Sequence, residues 1–500
     1  MTEPCDLTAV EARRLIGTKR LSPVELLNSC IARIESIDPA VNALPALDLP
    51  HARTMARAAE QAVMRGDHLG PLHGLPVAIK DLEDAAGFVT SFGSTLHAGP
   101  NGANIVHTKD DNSVALVRAG GAIVIGKSNV PEFGAGANTR NAVYGVTGNP
   151  FDPTKSAAGS SGGSAVALAC NMVPIATGSD TGGSLRNPAA FNGVVGFRPT
   201  PGLVPFENAG FTLLSVRGPM ARTVADTALL LSSMVSDAKH DMLATTIHGR
   251  PVHVAKDFAR PDAIDLSSLR VALTPDFGFA PTERHIAEVF TDKTRLLRTA
   301  FARADDAEPD CSGADEAFEI LRSLGFLRKH AANMKSRPDD FGPNIHANYN
   351  EGLAYSAMDV SRAMGLQAEM YQRWQTFFDD YDVVLSPAIT ISPRPWTELY
   401  PAEIDGKPTR TYFHWLSLAY CSSLTGHPSL SLPVGLDRNN MPFGLQITGP
   451  RGGDALVLAV AAAIEAHLAT DPATARPTPD LARLRTAQPI AEMPGFMGFG

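Results

Sequence analysis

Between about residues 70 and 235 the chain sets short, wholly apolar runs against segments with helical spacing. PVAI at 76–79, AIVIG at 122–126 and VVGF at 194–197 are runs of the first kind, and TVADTALLLSSM from Thr223 is a segment of the second. A strand with one face in water alternates apolar and polar residues, whereas a strand apolar at every position must be covered on both faces. The pattern therefore predicts an α/β fold, a sheet covered by helices on both faces. Further strands are expected in LRVALTPDFG and YDVVLSPAI, with helices over much of 283–380. Ser22, Pro23 and Glu25 form a capping signature ahead of Leu26, Leu27, Cys30, Ile31 and Ile34, which predicts an N-terminal helix packed on the main body. The charge- and proline-rich stretch 236–268 reads as a surface excursion.

Within this frame lie two clusters of serine and glycine, AGSSGGSA at 158–165 and GSDTGGSLRNP at 178–188. Small residues let a backbone pass close to a reacting centre and aim its N–H groups at it. Ser184 follows Thr181, Gly182 and Gly183, whose amides can converge on a developing oxyanion, each such donor being worth on the order of 3 kcal/mol of barrier. Ser160 lies 24 residues upstream of Ser184. Neither hydroxyl is nucleophilic without a base, and none of the 14 histidines falls between His107 and His240. The run at 76–79, however, ends at Lys80. A lysine amine, with an unperturbed pKa of ~10.4, becomes a base near neutrality when burial or neighbouring positive charge depresses it.

Other readings of the same residues stand beside this one. Glycine-serine clusters are the composition of linkers, and a lysine ending a strand is commonly a solvated charge. AVALAC and MVPIAT, the apolar runs between the clusters, suit buried elements instead. Gly159, Ser161 and Gly163 fit GxSxG, a nucleophile elbow with Ser161 as nucleophile, but an elbow needs a strand leading into it, and GNPFDPTKSAAG reads as a proline-containing loop. Arg186 either orients a carboxylate or caps a short helix ended by Pro188.

The chain resembles the amidase signature family. Beyond the clusters the likeness runs through LPVAIKD, GGAIVIGKSNVPEFG, GVVGFRPTPG, SVRGPMARTVAD, GHPSLSLPVG and MPFGLQITGP, roughly the whole length. The resemblance implies one αβα sandwich built on a large twisted mixed sheet. It also implies Ser184 as nucleophile, Ser160 as a bridging serine in a cis peptide, Lys80 as base, an oxyanion hole at Thr181, Gly182 and Gly183 with the Ser184 amide, and Phe133 and Gly134 beside the substrate. Ala158 departs from the pattern, standing where many relatives carry glycine.

So read, the chain divides into a helical segment 1–70 packed on the core, the signature domain 71–467 with a variable pocket region at about 310–415, and a tail 468–500 that is draped, frayed or docked on a neighbouring subunit, which leaves a homodimer open. Trp374, Trp396 and Trp415, with Tyr371, Phe377, Phe378, Tyr381, Tyr400, Tyr412 and Phe413, crowd the segment 370–415 and suggest an apolar or aryl pocket. The expected activity is hydrolysis of small apolar or aryl amides, extending to anilides, carbamates or esters, without metal or cofactor. The alternatives are the glutaminase subunit of a tRNA-dependent amidotransferase and a catalytically silent binding protein or scaffold. A net charge of −9 gives no footprint for nucleic acid. Five scattered cysteines without a CxxC pair, and no signal pattern or membrane-length apolar run, point to a soluble cytoplasmic enzyme.

Overall fold

The computed structural model describes residues 3–100, 102–236, 241–248 and 250–497. Eleven strands form its main sheet: β1 (Ala46–Leu47), β2 (Pro76–Lys80), β3 (Ile123–Ser128), β4 (Ile175–Asp180), β5 (Val195–Arg198), β6 (Val216–Ala221), β7 (Arg270–Leu273), β8 (Arg303–Asp306), β9 (Val383–Pro387), β10 (Ser429–Leu436) and β11 (Pro442–Thr448). Their spatial order is β1-β3-β2-β4-β6-β5-β10-β11-β9-β7-β8. The sheet is mixed: β2 runs parallel to both β3 and β4, β6 is antiparallel to β4, and β9, β7 and β8 are parallel to one another. The helices that matter for the site are α1 (Pro23–Val41), α2 (Gly162–Ala169), α3 (Arg186–Asn192), α4 (Val224–Met234), α5 (Ala314–Ser336), α6 (Pro343–Ala354), α7 (Ala357–Asp380), α8 (Ser417–Thr425) and α9 (Asp454–Leu468).

Strand alternation assigns each face of the sheet its own core. Val77 and Ile79 of β2, Val124 of β3 and Ile175 of β4 pack with Leu230 and Leu231 of α4 and Val457 and Leu458 of α9. Ala78, Ile125 and Ala176 point the other way, into α1 and α2. Further along that second face, Ala272 of β7 and Val384 of β9 meet Phe318 of α5, Trp374 of α7 and Tyr420 of α8. Each Val or Ile so buried contributes about 2 kcal/mol relative to exposure. Because Lys80 shares its face with Ala78, and Asp180 with Ala176, the last residues of β2 and β4 emerge together beneath α2. The carboxyl ends of neighbouring parallel strands are where open α/β sheets form their clefts.

The capping signature at Ser22 is realised: its hydroxyl accepts from the Val24 amide at 2.9 Å, and the Glu25 carboxylate accepts from the Ser22 amide at 2.9 Å. One strand escapes the apolar pattern. β8 reads RADD and is only partly buried, because an edge strand pairs on one side alone and its charges discourage further pairing. The opposite edge is blunted by the two-residue β1. Of the excursion 236–268, residues 237–240 and 249 lie outside the described residues. The remainder carries a short ladder in which exposed Thr246–Ile247 pairs with Arg250–Pro251, and Phe258 is buried in the α4 core. The tail drapes over the body, with Leu484 and Ile490 buried and the Gly495 carbonyl accepting from Arg140 Nη2 at 2.5 Å. Its last residues, 498–500, lie outside the described residues.

Candidate active site

Lys80 closes β2 with no exposed surface. Its Nζ lies 2.8 Å from Ser160 Oγ, 2.8 Å from Ser161 Oγ, 3.0 Å from Ser179 Oγ and 3.3 Å from the Ser179 carbonyl. No carboxylate touches it among the described residues. Burial disfavours the ammonium form and lowers its pKa to about 7, against the opposing pull of Glu83 and Asp180. The contrast with Lys127 on β3 is instructive. That lysine is equally buried but has Asp81 Oδ1 at 3.4 Å, so Lys127 has an anion to pair with while Lys80 has hydroxyls with which to exchange protons.

Ser160 and Ser161 are held by the turn into α2. The Gly159–Ser160 peptide is cis, and Ala158 occupies the left-handed region at φ 55°, a conformation glycine adopts freely and alanine at a cost of about 1 kcal/mol. Its carbonyl is fixed by Thr139, which donates from its amide at 3.1 Å and its hydroxyl at 2.7 Å. Ser161 is the N-cap of α2, yet its hydroxyl caps no amide of that helix because Lys80 has claimed it. Gly163 in the first helical turn permits the close seating of α2. A Cβ there would stand 2.3 Å from the Asn129 amide nitrogen.

Ser184 sits on the tight turn between β4 and α3, and the Ser161 amide donates to its carbonyl at 3.2 Å, pinning the two serine clusters together. Ser184 is half-buried, and its hydroxyl has no protein partner among the described residues. The turn is organised from below by Asp180, which accepts from the Gly183 amide at 2.8 Å, the Leu185 amide at 3.1 Å and Arg186 Nε and Nη2, each at 3.0 Å. Burial alone would raise the Asp180 carboxyl, but Arg186 and Arg198 outweigh it and hold the group well below the usual carboxylate range. Gly183 adopts φ 113°, open only to glycine. Its amide therefore serves the turn, while those of Thr181, Gly182 and Ser184 have no protein acceptor among the described residues.

Phe133 and Gly134 lie on the opposite side, where a Cβ at Gly134 would be 3.2 Å from Ser160 Oγ. Phe133 packs on His330 at 4.4 Å between ring centroids, and Phe318 abuts Gly182, whose Cβ would be 2.6 Å from Phe318 Cζ. Burial pushes His330 down to about 4, so this wall carries no imidazolium at neutral pH.

Several expectations need correction here. The aromatic residues of 370–415 do not form one wall. Trp374 lies in the core against Phe277 and His427, Trp396 packs with Val146 and Ile490, and Trp415 lies over Phe191. Of that stretch Tyr412 and Phe413 join the rings around Phe318, and the aromatic residues beside the serine turns are Phe133 and, from α5, Phe318, which lie outside the tryptophan-rich stretch. Pro188 does not end a helix. It lies in the first turn of α3, where its missing N–H costs nothing, and Arg186 takes the carboxylate-orienting role through Asp180. Before the first cluster, Asp152–Ser156 does form a strand, but it pairs with Gly148–Asn149 and bridges Pro395 through Lys155, outside the main sheet, and among the described residues no imidazole contacts Ser161. Asp180 and Ser179 were missed, although both stand in the GSD that opens the second cluster.

The family model described as Amidase matches residues 25–458. An acylamidase of Rhodococcus erythropolis is 32% identical over 468 residues, covering 92% of this chain and 95% of the relative. A glutamyl-tRNA(Gln) amidotransferase subunit of Streptomyces coelicolor is 31% identical over 500 residues, covering 93% of this chain and 97% of that relative. Among solved structures, a bacterial aryl acylamidase of the amidase signature family superposes with a TM-score of 0.84 at 26% identity, covering 93% of this chain and 96% of that one.

Proposed function

The chain belongs to the amidase signature family and is an amide-hydrolysing enzyme, and from that premise we propose that it cleaves small apolar or aryl amides through a Ser184–Ser160–Lys80 relay. The observation that carries this reading is Lys80, buried among hydroxyls with a pKa of about 7 and 2.8 Å from Ser160. Ser184 Oγ attacks the amide carbon; its proton passes to Ser160 Oγ as the Ser160 proton passes to neutral Lys80 Nζ. The tetrahedral oxyanion is held by the turn amides. As the C–N bond breaks, the same relay run backwards protonates the departing nitrogen, leaving an acyl ester on Ser184. Water then repeats the cycle, releasing acid and restoring the serine. Phe133 with neutral His330 on one side and Phe318 on the other offer aromatic faces to a ring beside the scissile bond.

The test is hydrolysis of aliphatic amides, anilides, an aryl carbamate, an ester and glutamine by the wild type, Lys80→Ala and Ser184→Ala. Turnover of aryl substrates, lost in both variants, is expected. Glutamine turnover that requires an added partner would instead support the glutaminase-subunit reading. Failure of Ser184 to react with a fluorophosphonate would support the silent protein.

A further inference from the structure

Phe318, Arg322, Phe326 and His330 recur at intervals of four on α5 and so share one stripe of that helix. The stripe completes a circuit of contacts around the serines. Ser160 meets Gly134, Phe133 packs on His330, His330 lies 5.7 Å from Phe326, and Arg322 Cζ lies 5.2 Å from the Phe326 ring and 5.8 Å from the Phe318 ring, which abuts Gly182 of the nucleophile turn. Arg322 stands on this circuit opposite the reacting groups.

Its environment is unusual for a guanidinium that is only 8% exposed. Rings of Phe318, Phe326, Tyr412 and Phe413 surround it, and among the described residues no Asp or Glu forms an ion pair with it. The Glu351 carboxylate accepts from Ser323 Oγ at 3.2 Å and acts on Arg322 and Tyr412 through space, without a direct contact to either among the described residues. Arg322 Nε donates to the Tyr412 hydroxyl at 3.0 Å, and Nη2 donates to the same oxygen. Asn348 Nδ2 donates there too, at 2.7 Å, its amide oriented by the Asn344 carbonyl to which it also donates at 2.6 Å. The phenol oxygen is thus surrounded by donors, and its own proton has no acceptor among the described residues. A buried guanidinium that no carboxylate touches among the described residues, beside a hydroxyl whose proton has no acceptor there, is a donor set that an anionic acceptor would complete.

We propose that Arg322 and Tyr412 bind a carboxylate carried by the substrate, so that the preferred substrates are aryl amides with a carboxylate on the ring. The proposal rests on the reading of amide hydrolysis at Ser184 given above. It extends that reading by assigning the specificity-determining residue: the ring lies between the aromatic walls, the amide meets Ser184, and the carboxylate meets the planar donor fork of Arg322.

The test compares kcat/KM for 4-acetamidobenzoate against acetanilide and for 4-carbamoylbenzoate against benzamide, in wild type, Arg322→Gln, Arg322→Lys and Tyr412→Phe. One carboxylated substrate is expected to exceed its neutral partner by about tenfold or more in the wild type, as a lost charge-assisted bond implies. Arg322→Gln should abolish that preference, read as the ratio of the two kcat/KM values within one variant, Arg322→Lys should keep part of it, and Tyr412→Phe, which retains the guanidinium, should weaken it. Turnover of neutral amides with no carboxylate preference, or a preference that survives in both Arg322→Gln and Tyr412→Phe, overturns the assignment and leaves the amidase reading standing. Should no amide be hydrolysed, the amidase reading fails, and calorimetric titration of 4-acetamidobenzoate into Ser184→Ala decides the site separately. Binding lost on adding Arg322→Gln supports it, and no binding overturns it.

Discussion

Asp180 accepts the Gly183 amide at 2.8 Å and thereby withdraws one of the four amides of the Ser184 turn from the reaction centre. The turn is thus built on a buried carboxylate, and the amides of Thr181, Gly182 and Ser184 are left without a protein acceptor among the described residues. This arrangement ties the fold to the chemistry: the same Asp180 that ends β4 holds Arg186 at the start of α3 and receives Arg198 from β5 at 3.3 Å.

Asp180→Asn is expected to leave two buried guanidinium groups without their anion. Breaking a buried pair from one side costs about 3–5 kcal/mol. Thermal or denaturant unfolding should show a loss of that order, accompanied by a fall in kcat as the turn loosens. An unfolding midpoint equal to that of the wild type would mean that the arginines find other anions.

In the proposed relay, the Lys80 pKa of about 7 is expected to govern the pH dependence of the reaction. The relay needs the neutral amine, so kcat/KM should rise with pH along a limb centred near 7 and level off above it. Lys80→Ala should lose the limb together with about 100- to 10,000-fold of activity. A profile falling from pH 6 to 9 would contradict a lysine base.

The same shift has a stability counterpart. Because folding lowers the Lys80 pKa, the unfolded chain binds more protons between about 7 and the ordinary lysine value, and this residue's contribution to stability must grow as pH rises through that window. The unfolding free energy of wild type minus that of Lys80→Met should therefore increase from pH 7 to pH 10, by up to about 1.4 kcal/mol per pH unit. A difference that is flat over this range would mean that the amine is charged when folded.

Ser160 and Ser161 are equidistant from Lys80 Nζ, which allows the two to be separated experimentally. Ser161 Oγ is wholly buried and occupied by Lys80 and the Ser179 amide, whereas Ser160, also buried, lies beside Gly134. Ser184→Ala should abolish turnover, Ser160→Ala should cost about 100- to 10,000-fold, and Ser161→Ala should cost less than Ser160→Ala. Abolition by Ser161→Ala with retention in Ser184→Ala would reinstate the nucleophile elbow.

Much of this was legible in the sequence because burial writes itself into composition. The unbroken PVAI and VVGF runs announce strands covered on both faces, and Ser22-Pro23 with Glu25 announces a helix start. The charged β8 left no such trace, since an edge strand needs only backbone partners. The serine clusters and Lys80 were legible through their residue types, but nothing in the sequence marks Asp180, because its partner Arg198 is brought to it by tertiary folding. The aromatic wall was sought where tryptophans crowd, at 370–415. The stripe of Phe318, Phe326 and His330 was available at helical spacing, yet only the orientation of α5 toward Gly182 distinguishes it from ordinary core.

Gly182 is where turn and wall meet, and a substitution there reports on both. Its φ lies outside the left-handed region, so alanine meets no backbone penalty, and the obstacle is the Phe318 ring, 2.6 Å from the added Cβ. That ring cannot swing aside, being stacked on Tyr420 at 4.3 Å and edge-on to Phe413 at 5.5 Å. The backbone must yield instead, turning the Gly182 amide away from the oxyanion, and one such donor is worth on the order of 100-fold in kcat. Gly182→Ala should therefore lower kcat by about that factor. Adding Phe318→Ala should restore most of kcat while raising KM for aryl amides, because the clash and the wall vanish together. If the double variant is no faster than Gly182→Ala, the loss does not come from Phe318 displacing the Gly182 amide.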